Sequence, residues 1–176
     1  LPFSLPMPEK KIALLTEIES LKIDPLISEE LKLVAKRLEN SGWIVEEPKA
    51  PNFQEAANFQ ATLWLGEFRR TGGKAISREN DPDSNFIYSQ MSRRCPDTSL
   101  EKFMDSMQQR ARISREWNKF FDQHPIILCP ITGDIPFPDL KDLESEESFD
   151  LVFDSMLPQI APPYIGLPGL SFATRQ

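Results

Sequence analysis

Residues 10–45 read KKIALLTEIESLKIDPLISEELKLVAKRLENSGWIV, and the order of signals in this stretch decides the fold class. Residues 12–16, IALLT, form a short continuous apolar run, the pattern of a strand covered on both faces. Asp24 then stands where a helix N-cap belongs. Pro25 takes the first helical position, where its missing N–H costs nothing. Leu31, Val34, Ala35 and Leu38 recur at helical spacing and define one apolar face. Gly42 follows at the place of a left-handed C-terminal cap. Trp43, Ile44 and Val45 then supply a second strand. Strand, helix and strand within about 35 residues predict a right-handed crossover that joins a parallel pair.

The same reading extends down the chain. Asn52 and Glu55 have capping-box spacing and open a helix over residues 52–70, with Phe53, Ala57, Ala61, Trp64 and Phe68 as its stripe. Residues 71–97 hold Gly72-Gly73, RENDPDSN and RRCPD, and read as the least regular part; FIYSQM within them reads as a short helix or as nothing regular. The longest helix starts at the capping-box pair Thr98 and Glu101 and runs to about His124. Its stripe is Leu100, Phe103, Met104, Met107, Ala111, Ser114, Trp117 and Phe121, and Pro125 ends it. Residues 125–131, PIILCPI, are a third buried strand. Residues 133–150 are acidic and proline-bearing, so a surface loop with one helical turn is expected. The amphipathic stretch FDLVFDSML leads into a proline-rich turn, and residues 170–173 are expected as a final strand. Residues 1–8 carry three prolines and read as an extended lead-in. The fold class is therefore α/β: short buried strands covered by long helices.

Bulk properties bound the function. The 176 residues suit one domain, with 40% hydrophobic and 27% charged residues. A net charge of −7 repels a phosphate backbone, so nucleic acid is not an expected partner. No apolar run approaches the ~18 residues of a transmembrane span, and no membrane partner is expected. Two distant cysteines do not make a disulfide framework, which fits a reducing cytoplasm.

No constellation of residues forms a catalytic set. The single histidine, His124, lies five residues before Cys129. A Cys–His pair is conceivable, but the bland reading is a helix-end histidine and a core cysteine. One His and two separated Cys cannot close a zinc site, and DLKDLESEESFD lacks the spacing of a calcium loop, so no metal and no cofactor are expected. Neither GxGxxG nor GxxxxGK[ST] occurs. Arg110, Arg112 and Arg115 fall on the long helix, and their plain reading is a solvated face paired with acidic neighbours.

Five segments in order nevertheless resemble the C-terminal half of an amidase-signature enzyme: KKIALLTEI, IDPLISEELKLVAKRLENSGWIVEEPKAP, NFQEAANFQATLWLGEFRR, RARISREWNKFFDQHPIILCPIT and PQIAPPYIGLPGLSFAT. The resemblance implies one α/β domain, here residues 1–176, with short buried strands of a mixed sheet under long helices. It implies hydrolysis of a carboxamide to an acid plus ammonia or an amine. Members of the family use a Ser nucleophile, a bridging Ser and a Lys base in and before a Gly- and Ser-rich segment. This chain has only 7 Gly and no Ser-Ser pair, so no catalytic residue is carried over. The expectation is a scaffold and substrate-pocket piece, inactive alone, whose catalytic residues lie upstream and whose closing elements are also absent.

The pocket is expected on the loops after strand ends, at Pro130, Ile131, Thr132 and Gly133, and at Gly166, Leu167 and Pro168. The implied partners are a small-molecule amide and the remainder of the amidase domain, with a homodimer left open. The alternative is a truncated, non-catalytic binding or scaffold module with exposed apolar helix faces.

Overall fold

The computed structural model describes residues 9–19 and 21–174. The expected extended lead-in of residues 1–8 lies outside them. Strand β1 (Lys11–Leu14) is central in a three-stranded sheet, flanked by β2 (Ile44–Glu46) and β3 (Ile126–Leu128). Both pairings are parallel, with Ile12 opposite Val45 and Ile126, and Leu14 opposite Leu128. Helix α1 (Pro25–Asn40) makes the crossover from β1 to β2. The α/β class is confirmed. The mixed character implied by the resemblance does not occur among the described residues, whose strands all run one way.

Alternation along β1 builds two cores. Ile12 and Leu14 join Leu128 and the Leu31–Val34–Ala35 face of α1. Ala13 and Leu15 face the other way, into the larger core. That second layer holds α2 (Phe53–Thr71), α5 (Leu100–Phe121) and α7 (Leu157–Ile165). Side chains two apart share a face and neighbours oppose, so one strand serves both layers.

Caps set the first helix as expected. The Asp24 carboxylate accepts from the Leu26 N–H at 2.7 Å, and Gly42 has φ of +81°. Helix α2 is capped by Asn52, which accepts from the Glu55 N–H at 2.6 Å. Its buried face is Phe53, Ala56, Ala57, Gln60 and Leu65, while Trp64 and Phe68 of the expected stripe stay exposed. In α5 the cap is Ser99 rather than Thr98, and it accepts from the Lys102 N–H at 3.2 Å. Ser106, Ile113 and Trp117 are buried, whereas Leu100, Met104 and Met107 are exposed. The helix is rotated by its tertiary partners: Trp117 stands edge-on to Phe53 at 4.8 Å, and Tyr164 reaches Ser106.

Four regions differ from the sequence reading. Residues 71–97 hold two helices, α3 (Gly73–Glu79) and α4 (Pro82–Arg94), the second capped by Asp81, which accepts from the Ser84 N–H at 2.7 Å. The acidic segment forms a 3-10 turn (Lys141–Leu143) and α6 (Glu146–Ser155). The expected proline-rich turn is α7, which carries Pro162 and Pro163 inside it. Residues 170–173 form no strand; Leu170 is 91% exposed, because no described strand offers them a partner.

Candidate functional site

A parallel sheet meets ligands where its strands end, since the connecting loops diverge there. Beyond β1 the chain turns through Glu19, at φ of +38°, and makes a bridge between Ile18 and Leu21. Beyond β3 it enters Pro130, Ile131, Thr132 and Gly133. The two exits are stitched together. Leu15 N–H donates to the Leu128 carbonyl at 2.9 Å, and Asp24 N–H donates to the Gly133 carbonyl at 2.8 Å.

Gly133 is required by space. A Cβ there would lie 2.6 Å from the Lys22 carbonyl oxygen and 2.7 Å from Leu21 Cδ1. Its own N–H donates to the Ser155 carbonyl at 2.8 Å, which ties the loop to the corner between α6 and α7. Pro130 is buried, and Thr132 Oγ1 donates to the Asp134 carbonyl at 2.6 Å. Ile131 is 53% exposed and is the side chain this loop presents outward.

The second group follows α7. Gly166 has φ of +82° and closes the helix, its N–H donating to the Pro162 carbonyl at 2.9 Å. Leu167 is half-buried and packs on the same core as Cys129, the residue before Pro130. Pro168 is exposed. The first group therefore hangs from the α6–α7 corner and the second from the far end of α7, and both border the same core. None of the seven residues is titratable, so they can supply shape and main-chain hydrogen bonds but not a proton.

The Cys–His alternative lacks the required chemistry. Burial pushes the Cys129 thiol up to about 11, so it carries no thiolate near neutrality. His124 is buried and stacked on Phe120 at 5.0 Å. Its Nε2 meets Glu46 Oε2 at 2.8 Å, and Lys11 Nζ lies 2.9 Å from the same oxygen. Lys11, then His124, hold the Glu46 carboxyl below the usual range. No group of three or more His, Cys, Asp or Glu among the described residues is placed to hold a metal ion.

Two hollows lie elsewhere. One of about 420 Å³ is lined by Thr62, Arg94, Cys95, Asp97 and Lys102 among others. Another of about 740 Å³ is walled by Trp64, Phe68, Ile87 and Tyr88. Neither includes any of the seven loop residues. Sequence reasoning missed both because they form around α4, for which the sequence left open only a short helix over FIYSQM.

No protein-family model matches the chain. An indoleacetamide hydrolase of Bradyrhizobium diazoefficiens is 23% identical over 160 residues, covering 90% of this chain and 30% of that protein. A second indoleacetamide hydrolase, from Bradyrhizobium japonicum, is 24% identical over 122 residues, covering 69% of this chain and 26% of its own length. The chain thus spans less than a third of the curated relatives it matches. Among solved structures, a fatty acid amide hydrolase superposes with a TM-score of 0.64 at 17% identity, covering 84% of this chain and 26% of that one. The resemblance to amidase-signature enzymes carried by the five ordered segments is confirmed in sequence and in fold.

Proposed function

We propose that this chain is the scaffold and substrate-pocket part of an amidase, which hydrolyses a carboxamide to an acid plus ammonia or an amine, with the catalytic residues supplied from upstream in the whole protein. The observation that carries the reading is the alignment of 90% of the chain with one segment of an indoleacetamide hydrolase. The loop chemistry supports it: the candidate pocket offers apolar surface and main-chain groups but no proton donor or base, so its part is to hold the amide. A cytoplasmic setting belongs to the same reading and agrees with two free cysteines. No described helix is long and apolar enough to cross a membrane.

Two experiments test it. The first is the coding DNA upstream of Leu1: a Gly- and Ser-rich segment preceded by a Lys supports the amidase, and a start codon just before Leu1 removes it. The second is Ile131→Trp in the complete protein. A bulky ring at the exposed loop position is expected to shift preference along a series of amides of increasing chain length, and unchanged kinetics across the series remove the pocket assignment.

A further inference from the structure

Helix α7 is short of two of its own hydrogen bonds. Pro162 and Pro163 lie inside it and have no N–H to donate, so the Pro158 and Gln159 carbonyls lose their partners one turn on. The last carbonyls of any helix also lack partners within it. Yet α7 ends in a defined left-handed turn, with Gly166 and Leu167 N–H groups both donating to the Pro162 carbonyl, at 2.9 and 3.1 Å.

Helix α5 supplies a partner for one of those last carbonyls. Arg110 Nε donates to the Tyr164 carbonyl at 2.6 Å, placing a cation at the negative end of the helix dipole. The Tyr164 hydroxyl donates to the Ser106 carbonyl, one turn before Arg110 on the same helix. Tyr164 is therefore gripped at its main chain and at its side-chain tip by the same stretch of α5. Its ring is buried and stacked on Phe59 at 5.6 Å. Arg112, two residues on, is paired with Glu55 and Glu116. Arg110 has no such carboxylate among the described residues, and its guanidinium instead lies against the turn. Arg110 Nη2 is 3.7 Å from where a Cβ on Gly166 would stand.

From this geometry we infer that Arg110 and Tyr164 are positioning residues for the loop of Gly166, Leu167 and Pro168, setting its place from α5 through the last turn of α7. The inference rests on the reading of that loop as a pocket wall. Such a clamp acts on how the substrate is held, so its loss moves KM and chain-length preference more than kcat.

The test uses the complete protein and a series of straight-chain primary amides. Arg110→Met keeps the aliphatic stem and deletes the donors; Arg110→Lys keeps a cation and one reach to the carbonyl. Arg110→Met is expected to raise KM several-fold and move the chain-length optimum, with kcat changed less than about two-fold, and Arg110→Lys to restore most of the difference. Amide exchange at Gly166 and Leu167 is expected to rise about ten-fold in Arg110→Met and to stay near the parent rate in Arg110→Lys. Tyr164→Phe, which removes only the hydroxyl, is read in the same assays should Arg110→Met fold poorly, and is expected to change them in the same direction.

Leu167→Ala separates the two readings. If it shifts amide preference while Arg110→Met leaves preference and exchange unchanged, the clamp is overturned and the pocket stands. If Leu167→Ala leaves preference unchanged, the pocket reading fails, and exchange alone decides the clamp: faster exchange sustains it, unchanged exchange overturns it. A lower melting temperature with an equal activity loss on every amide and no local exchange change also overturns it.

Discussion

Gly133 and Gly169 make opposite demands at the scale of single residues. A methyl at Gly133 meets a main-chain oxygen at 2.6 Å that cannot swing away, whereas one at Gly169 meets nothing within 4 Å. Gly133→Ala is expected to lower stability by about 1–3 kcal/mol, and Gly169→Ala to stay within about 0.5 kcal/mol, both read from thermal melts. The cysteines give a chemical check. With its thiol pushed up to about 11, Cys129 is expected to stay unmodified by a thiol reagent at pH 8 in the folded protein, and Cys129→Ala to leave activity of the complete protein intact. Rapid labelling of Cys129 in the native state would contradict the burial argument. Gly42 was legible as a left-handed cap because glycine after an apolar stripe has few other uses; the crowding at Gly133 was not, since Lys22 is remote in sequence.

Individual elements show where local signals suffice. Helix α1 carried its start, stripe and stop in its own residues. Helix α4 carries the same Asp-Pro start at Asp81-Pro82, inside a stretch whose glycines and polar residues read as irregular. Helix α7 could not be read locally, because its prolines forbid two ladder bonds and it is held by packing on α2 and by the Arg110 bond from α5. A long-range cap is equally invisible in sequence. Glu19 Oε1 accepts from the Phe53 N–H at 2.8 Å and Oε2 from the Gln54 N–H at 3.3 Å, closing the start of α2. Glu19→Ala is expected to cost about 0.5–2 kcal/mol, seen as a lower urea midpoint at unchanged slope.

Between α4 and α6, Arg94 and Arg93 converge on Asp150, with Arg94 also 4.5 Å over the Phe153 ring. The Arg94 guanidinium, then Arg93, hold the Asp150 carboxyl below its ordinary range. A lowered carboxylate pKa contributes stability above its unfolded value and loses it as pH falls through the folded one. The clasp is therefore expected to weaken below about pH 4, and Asp150→Asn to flatten that part of a stability–pH curve. An identical acid limb in the variant would refute the assignment.

At the scale of the molecule, the apolar side chains that remain outside are informative. Leu100 is 78% exposed, Leu170 91% and Phe172 55%. If the chain is part of a larger amidase, these are covered in the whole protein. The chain expressed alone is then expected to bind a hydrophobic dye strongly and to associate on gel filtration, while the complete protein does neither. A compact, dye-silent chain favours the binding-module reading instead. The sequence by itself determined the β1–α1–β2 crossover, the helix caps near Asp24 and Asn52, and the likeness to amidases, because each rests on contacts within a few residues or on motif order. Only the tertiary structure decided the rotation of α5, the survival of α7 and the failure of residues 170–173 to pair. Those depend on what distant segments offer: Phe53 and Tyr164 for α5, Arg110 for α7, and for residues 170–173 a partner strand that no described segment provides.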